Sequence, residues 1–392
     1  MNRYWEIPAP CTDPRDLSSE REQKMTTDIP GTMNAMVLTG HGGLEKLEFH
    51  QDWPTPSPVP GEALIRVGAC GLNNTDVNTR SAWYSKGNTD ATTGATLAGA
   101  DDNDGSWGGA RITFPRIQGA DAVGEVVSLG DGADPALMGQ RVLIDTWLRD
   151  WSDPLNLERT GYFGSECDGG FAQYAVADQR YVHPIESEFS DSELATFATS
   201  YATAENMLNR AEVSVGDTVL ITGASGGVGS ALIQLANRRG AKCVAMCGAD
   251  KTPGVHAVGP LAVIDRSPAD LRAALRDATG WDSVDVVADV VGGVLWPQLI
   301  GIISRGGRYT CAGAIAGPVV EFDLRTFYLR DLTFTGATVL PPGVFGDLVG
   351  YIERQEIRPL LAATYPLEKL REAQQAFIDK RHVGNIVAHP FD

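Results

Sequence analysis

The sequence contains no apolar stretch long enough to cross a lipid bilayer. Its 392 residues are 43% hydrophobic and 21% charged, and no window approaches the ~18 uninterrupted apolar residues of a transmembrane helix. Residues 1–32 carry charges and prolines throughout and lack the basic start and apolar run of a signal peptide. We therefore expect no membrane partner, and we interpret residues 1–32 as an N-terminal extension that precedes the fold.

An excess of positive charge is also missing. Asp and Glu number 50 against 32 Lys and Arg, which leaves a net charge of -18. Nonspecific binding to nucleic acid requires clustered Lys and Arg, so no nucleic-acid partner is expected. The remaining composition is typical of a globular protein, and the length suggests two domains.

The chain lacks both a disulfide framework and a histidine cluster. None of the six histidines stands in a pair with ligand-like spacing. The cysteines are scattered, which favours a reducing, cytoplasmic location. They are Cys11, Cys70, Cys167, Cys243, Cys247 and Cys311.

Two patterns follow one another along the chain. Residues 33–190 indicate short strands, because runs such as EALIRVGACG are apolar or β-branched and end at Gly, Pro or Asp. Residues 191–341 alternate strand and helix patterns, which implies a parallel sheet covered on both faces. Residues 342–392 are predicted to form two helices followed by a strand. We expect this last segment to rejoin the first domain. The predicted class is α/β, with a β-rich domain and a doubly wound domain.

Several helix boundaries follow from this pattern. A single helix is predicted over residues 191–211, with Asp191 and Ser192 as its start signals. A second helix over residues 267–280 has Pro268 in its first turn, and a third is predicted over residues 295–307.

Residues 85–113 fit neither domain. The segment is rich in Gly, Asp, Thr and Ala, and loops of this length are uncommon and often act as lids. We expect this insertion loop to cover or reshape the pocket.

The most informative local motif is a glycine-rich turn between a strand and a helix. In DTVLITGASGGVGSALIQLA, Gly226 permits close approach of a pyrophosphate and Gly229 permits tight packing of helix on strand. The amino end of the helix faces the phosphates. The predicted dinucleotide-binding residues of the turn are Ser225, Gly226, Gly227, Val228 and Gly229.

The second strand of this unit favours NADP(H). NAD-binding proteins place an acidic residue at its end to bind the ribose, but Cys247 and Gly248 stand there. Lys251 and Arg266 follow and suit a 2′-phosphate. Asp250 leaves an alternative open, because a shift of the loop could bring its carboxylate to the ribose.

Five motifs together identify a family resemblance. GLNNTD, GGFAQYAV, SYATAENML, GASGGVG and HVGNIV make residues 33–390 resemble the medium-chain dehydrogenase/reductase superfamily, most of all its zinc-independent quinone oxidoreductase and enoyl reductase branch. The resemblance implies a GroES-like catalytic domain over residues 33–190 and 342–392, a Rossmann domain over residues 191–341, a cleft between them and a homodimer.

The resemblance also indicates that zinc ligands are missing. Zinc-binding members place Cys, His-Glu and a further ligand at the positions of Asn73, Ala120-Asp121 and Thr199. Asn, Ala and Thr cannot supply the three ligands of a catalytic zinc. Cys70 lies an odd number of residues before Asn73 and should face the opposite side of the strand, as a buried core residue. No metal is therefore expected.

The candidate site residues come from the same resemblance. Tyr84 keeps the eleven-residue interval from Asn73 at which relatives have a catalytic Tyr, and Asn73 and Thr203 match positions at the nicotinamide. Asn385 stands where relatives often have a Lys near the 2′-phosphate. Other expected positions are the loop residues Ala312, Gly313 and Ala314, and the possible cleft aromatics Trp147, Trp151, Tyr162 and Phe163.

These features predict a reductase that works without a Lewis acid. Hydride added to a carbonyl-conjugated double bond or a quinone gives a delocalised anion, which needs only hydrogen-bond donors and a proton. The expected substrate is a small molecule, flat or apolar. Two alternatives remain open: a metal-free NADP-dependent alcohol dehydrogenase, and a protein that binds NADPH but has lost catalysis.

Overall fold

The computed structural model describes residues 29–92, 101, 103–109 and 111–391. The predicted N-terminal extension therefore lies almost wholly outside the described residues. Residues 93–100, 102 and 110 of the insertion loop lie outside them as well. None of the described helices combines the length and the apolar character needed to cross a membrane.

The first part of the chain is rich in strands and has one described helix, α1 (Asn74–Arg80). Its strands are β1 (Thr32–Leu38), β2 (Leu47–Pro54), β3 (Glu62–Gly71), β4 (Arg116–Ile117), β5 (Asp121–Leu129), β6 (Arg141–Ile144), β7 (Trp147–Arg149), β8 (Thr160–Tyr162), β9 (Tyr174–Asp178) and β10 (Val182–Pro184).

The middle of the chain alternates helices and strands. These are α2 (Asp191–Leu194), α3 (Ala198–Arg210), β11 (Thr218–Ile221), α4 (Gly227–Arg238), β12 (Lys242–Cys247), α5 (Thr252–His256), β13 (Ala262–Asp265), α6 (Leu271–Thr279), β14 (Val284–Asp289), α7 (Trp296–Gly301), β15 (Ile303–Cys311), α8 (Leu324–Tyr328) and β16 (Thr333–Gly336). The chain then continues through α9 (Val344–Glu353), β17 (Leu361–Pro366), α10 (Leu370–Asp379) and β18 (Asn385–His389).

The middle strands form one parallel sheet in the order β13-β12-β11-β14-β15-β16. Alternate residues of its strands enter different cores: Leu220 and Val287 pack on one face, and Val219 and Val286 on the other. The predicted doubly wound α/β fold is therefore confirmed. The strand order reverses between β11 and β14, and ligands of such sheets bind at the carboxyl ends of strands at this point.

The end of the chain returns to the first sheet, as predicted. Strand β18 pairs antiparallel with β3, with Val387 opposite Gly71 and Ala388 opposite Cys70. Strand β17 then pairs parallel with β18 at the edge of the order β10-β6-β5-β3-β18-β17. Strands β2, β1 and β4 form a separate sheet beside it.

The single helix predicted over residues 191–211 is wrong, because two helices occupy this region. Ser190, not Asp191, caps α2. Its hydroxyl oxygen accepts from the Glu193 amide, and the Glu193 carboxylate accepts from the Ser190 amide. The break between α2 and α3 coincides with Thr196, whose hydroxyl donates to the Glu193 carbonyl at 2.7 Å. Threonine side chains that bond nearby carbonyls in this way compete with the helical pattern.

Two other helices are shorter than predicted. Asp270 caps α6 by accepting from the Ala273 amide, so Pro268 lies before the helix rather than in its first turn. Helix α7 ends at Gly301, and Ile303 already begins β15, where residues 303–307 had been assigned to the helix.

Candidate active site

The glycine-rich turn lies at the carboxyl end of β11, where the sheet order reverses. A Cβ atom on Gly229 would lie 2.3 Å from the Gly223 carbonyl oxygen, so glycine is needed for the close approach of α4 to the turn. A Cβ atom on Gly226 would meet only that same oxygen, at 3.5 Å. The turn thus presents an open backbone surface at the amino end of the twelve-residue helix α4, which suits a phosphate.

A cavity of about 470 Å³ opens beside this turn. Its lining joins the turn to the ends of β12 and β13 and includes Ser225, Gly226, Gly227, Cys247, Gly248, Lys251 and Arg266. Asp250 is not among its lining residues. The cavity is therefore lined by both cations expected for a 2′-phosphate. The alternative role of Asp250, in which its carboxylate binds the ribose, gains no support.

Two further basic side chains line the same cavity and were missed from the sequence. Lys380 and His382 follow helix α10 in the segment DKRHVGN. Burial lowers the pKa of Lys380 to about 7, and the positive charge of Lys251 lowers it further. Burial also lowers the pKa of His382 to about 4. The one sequence signal for these two residues is the run of three basic side chains in DKRHVGN.

A smaller cavity of about 160 Å³ adjoins the turn on the side of the first domain. Residues from both parts of the chain line it, including Asn73, Tyr84, Thr203, Val228, Ala312, Gly313, Ala314 and Asn385. The structure therefore brings the three predicted catalytic positions together with the predicted loop after β15.

Asn385 lies apart from the two basic residues expected at the 2′-phosphate. It lines the small cavity and is absent from the lining of the larger one that contains Lys251 and Arg266. Its side-chain amide donates to the Ser200 hydroxyl at 3.0 Å, and it is 2% exposed. Strand β18 carries Asn385 into the sheet beneath the turn, against Gly227, and its role at the cofactor stays a prediction.

Tyr84 is half-buried in the small cavity. Burial raises the pKa of its phenol, and hydrogen bonds with Thr75 and Asn78 oppose that rise. The Trp83 ring packs edge-on against it at a centroid distance of 5.6 Å. Tyr84 is accordingly a neutral O–H donor at neutral pH, held by polar groups of α1.

Two of the three positions paired with zinc ligands, Asp121 and Thr199, form a hydrogen-bonded cluster with Tyr162. Asp121 is fully buried and accepts from the Thr199 amide at 2.8 Å and from the Thr199 hydroxyl. The Tyr162 hydroxyl lies 2.7 Å from the Thr199 hydroxyl. Since that hydroxyl has one hydrogen, which it gives to Asp121, Tyr162 donates to Thr199. Thr199 itself lines the small cavity, so the cluster reaches the candidate site.

Two buried carboxyl groups belong to this region. Burial raises the pKa of Asp121 to about 6, against the lowering effect of its bond from Thr199. Burial also raises the pKa of Asp76 to about 7, and the Asp121 charge adds to that rise. Asp76 accepts from the Asn73 amide at 2.7 Å. Sequence reasoning missed both carboxyls as site residues, although Asp76 ends the motif GLNNTD and Asp121 stands at a position compared with the zinc ligands.

This donor set does not fit a catalytic zinc. The candidate positions supply an amide, a hydroxyl and one carboxylate that is already engaged by Thr199. Within the described ranges, no three His, Cys, Asp or Glu side chains are grouped as a metal site would require. We derive no catalytic step through a metal.

Cys70 lies in the core, as expected from its position on the strand. It is fully buried in the cluster that contains Phe171 and Ala122. Burial raises the pKa of its thiol well above the usual range, and the Asp76 and Asp121 charges add to that effect. The thiol is therefore neutral and packs against the interior of the first domain.

Only part of the expected aromatic lining reaches the site. Trp147 is buried and packs edge-on against Tyr162 at 5.0 Å, next to Thr199. Trp151 is instead 37% exposed and packs on Tyr181, and Phe163 is buried in the first-domain core. Trp151 and Phe163 therefore do not line the two cavities, and Phe163 packs in a core instead.

The described part of the insertion loop crosses the mouth of the small cavity. The Thr92 amide donates to the Ile315 carbonyl at 2.9 Å, which joins the loop to the segment after β15. The Trp83 indole donates to the Asp90 carbonyl at 2.8 Å and so ties the start of the insertion to the residues before it. Thr92 and Ile315 both line the cavity, so this described part of the insertion lies beside the candidate site, and a covering role for the whole loop stays a prediction.

Two family models match the chain. Residues 59–187 match the alcohol dehydrogenase GroES-like domain, and residues 227–354 match the domain described as zinc-binding dehydrogenase. The second description concerns the family; among the residues that the structure describes, no group of three His, Cys, Asp or Glu side chains could hold a metal ion.

Relatives match over almost the whole chain. Human quinone oxidoreductase is 24% identical over 354 residues, which cover 88% of this chain and 94% of that protein. A Sinorhizobium meliloti 1021 protein assigned as an alcohol dehydrogenase is 44% identical, covers 94% of this chain and 99% of its own, and superposes with a TM-score of 0.85. The 2-octenoyl-CoA carboxylase reductase CinF, solved with NADP and 2-octenoyl-CoA, shares the fold at 24% identity, with a TM-score of 0.80 and coverage of 94% and 90%. This chain therefore belongs to the medium-chain dehydrogenase/reductase superfamily, in its quinone oxidoreductase-like branch.

Proposed function

We propose that this protein is an NADPH-dependent, zinc-independent reductase that transfers hydride to a quinone or to a carbonyl-conjugated double bond. The observation that carries the proposal is the pairing of two cavities at one glycine-rich turn. The larger contains Lys251 and Arg266, and the smaller contains the neutral donor Tyr84.

The residues of the larger cavity fit NADP(H). The open backbone at Gly226 and the amino end of α4 suit the diphosphate, and Lys251 and Arg266 suit the 2′-phosphate. A relative of the same fold was solved with NADP, which supports the choice. When bound, the nicotinamide supplies the hydride.

The residues of the small cavity would manage the negative charge that develops on the substrate. Tyr84 can donate its phenolic hydrogen to the substrate oxygen or protonate the α-carbon, because its raised pKa keeps it protonated. Asn73 and Thr203 offer further polar contacts that orient the substrate. Because these donors are neutral, a substrate that delocalises its own charge is favoured over a simple aldehyde.

The proposal is tested by following NADPH oxidation against quinones, enones and enoyl thioesters. Turnover with at least one class is expected, and NADPH should bind about tenfold tighter than NADH because two cations face the 2′-phosphate. NADPH binding without turnover across the panel would instead support a protein that has lost catalysis. Tighter binding of NADH would contradict the 2′-phosphate assignment.

A metal-free alcohol dehydrogenase is the second candidate. The S. meliloti protein assigned to that activity is 44% identical to this chain. Oxidation of alcohols with NADP⁺ in the presence of a chelator, faster than reduction of any member of the panel, would favour it.

A further inference from the structure

Lys380 is a half-buried cation that the proposed mechanism does not use. It ends helix α10 in the left-handed conformation, with φ of 52°. Its ammonium group donates to the Asn74 side-chain oxygen at 2.9 Å and lies 3.7 Å from the centroid of the Phe377 ring. Neither neighbour carries a negative charge, so the ammonium is held in the larger cavity without a counterion.

The same holds for the cations around it. Within the described residues, no carboxylate lies within the 4.0 Å of a salt bridge to Lys251, Arg266 or Lys380. The Lys251 ammonium instead donates to the Lys380 carbonyl oxygen. Lys251 and Lys380 are half-buried and Arg266 is exposed. Three cations around one cavity without a carboxylate partner suit an anionic ligand.

We propose that Lys380 binds the diphosphate of the dinucleotide, as a cofactor-binding residue contributed by the catalytic domain across the cleft. The inference rests on the proposed function for the identity of the ligand. The structural observation behind the inference does not depend on that function, because it concerns only the Lys380 ammonium and its neighbours.

The position of Lys380 favours the diphosphate over the 2′-phosphate. Its hydrogen-bond partner Asn74 lines both cavities and so marks their junction. The loop that follows Lys380 is joined to the glycine-rich turn, since the Gly384 amide donates to the Ser225 carbonyl at 2.9 Å. Arg266 lies instead beyond the end of β13, on the side of the second strand where a 2′-phosphate is read.

Ligand binding at this position should be accompanied by proton uptake. The groups that face Lys380 are Lys251, whose positive charge opposes its own, the His382 imidazole, which is neutral above about pH 4, and the neutral Asn74 amide. Asp76 of α1 is engaged by the Asn73 amide. Because the pKa of Lys380 is about 7, the side chain is largely neutral at about pH 8, and an adjacent diphosphate would restore its proton.

The first test is direct binding of NADPH and NADH by titration calorimetry. Lys380→Gln should weaken both cofactors by a similar factor, about 10- to 100-fold, since both carry the diphosphate. Lys369→Gln is the matched control, because Lys369 is exposed at the opposite end of α10, and it should change neither affinity. Loss of NADPH affinity alone, or no loss at all, would overturn the proposal.

The second test counts protons, from calorimetry in buffers of different ionisation enthalpy at about pH 8, where the 2′-phosphate is already ionised. The parent should take up protons on binding either cofactor. Lys380→Arg keeps a permanent charge, so it should bind within about threefold of the parent but without the uptake. Unchanged uptake in this variant contradicts the proposal even if Lys380→Gln proves unstable.

The two hypotheses fail separately. A parent protein that binds neither NADPH nor NADH contradicts the proposed function. A parent that binds both, with a Lys380→Gln variant of equal affinity, contradicts only the role of Lys380.

Discussion

At the scale of single residues, Tyr84 combines burial with two polar neighbours from the first helix. Thr75 and Asn78 hold its phenol in the small cavity, and burial keeps the phenol protonated. A positioned proton donor of this kind contributes about 10²- to 10⁴-fold to a rate.

Tyr84→Phe should therefore lower kcat by about 10²-fold or more while the Kd for NADPH stays the same, because the ring remains and only the O–H is lost. Steady-state kinetics with a quinone or enone and a binding titration measure the two quantities. Tyr328→Phe is the control, since Tyr328 is 60% exposed on α8. Equal turnover in the parent and both variants would make Tyr84 a bystander.

Gly229→Ala should destabilise the protein by about 1–3 kcal/mol, because the new Cβ would lie 2.3 Å from the Gly223 oxygen and force α4 away from the turn. Gly301→Ala, at a helix position where a Cβ meets nothing within 4 Å, should be neutral or stabilise by up to about 1 kcal/mol. Urea unfolding of both variants makes the comparison. Similar losses in the two would contradict the packing argument.

The buried Asp121 should make stability fall as the pH rises. Its pKa is raised from 3.8 to about 6 in the folded protein, so between about pH 4 and 6 the folded state binds more protons than the unfolded state. Asp121→Asn keeps an oxygen for the Thr199 amide and removes this cost. The free energy of unfolding of Asp121→Asn minus that of the parent should therefore increase as the pH rises from about 4 to 6. The total increase should be about 3 kcal/mol at most.

Unfolding at several pH values measures this difference, with Asp277→Asn, an exposed position on α6, as the control. A relative stability of Asp121→Asn that stays flat from about pH 4 to 7 would show that the carboxyl is ionised throughout.

Sequence reasoning located the site residues whose role lies in the backbone or in a motif. Gly229, Tyr84 and Thr203 fall where their motifs indicate, because strand, turn and helix follow in fixed order. It did not find Lys380, whose position depends on how the end of the described chain packs across the cleft. That docking has no local pattern in the sequence.

At the scale of elements, the insertion loop depends on one backbone bond to the opposite side of the cleft. The Thr92 amide donates to the Ile315 carbonyl, and both residues line the small cavity. We therefore propose that the loop helps to enclose the substrate.

Thr92→Pro removes this donor and should raise the KM for the acceptor about fivefold, the equivalent of one hydrogen bond of about 1 kcal/mol. Thr92→Val keeps the amide and should behave like the parent. Indistinguishable KM values for the two variants would mean that the loop does not close the substrate site through this bond.

Elements with strong local patterns were predicted well. The parallel strands and α4 are apolar or glycine-marked and were found as expected. The break at Thr196 and the early start of β15 were not, because there a local side-chain bond and sheet pairing prevail over helical periodicity. Edge strands such as β2 and β10 carry too little apolar pattern to stand out.

At the scale of the whole molecule, the site depends on the return of the last described strand to the first sheet. Strand β18 joins the first sheet, and its preceding loop reaches the glycine-rich turn. We propose the domain division at residues 190 and 342 on this basis, together with a homodimeric assembly in the cytoplasm as the family suggests.

The central claim is that neutral protein donors and the conjugation of the acceptor carry the negative charge that a metal carries in zinc-dependent relatives. Its most direct test is NADPH-dependent turnover of protein dialysed against a chelator, with the metal content measured on the same sample. The account predicts full turnover with well under one zinc per chain. Turnover that disappears on chelation and returns with a stoichiometric divalent cation would contradict it.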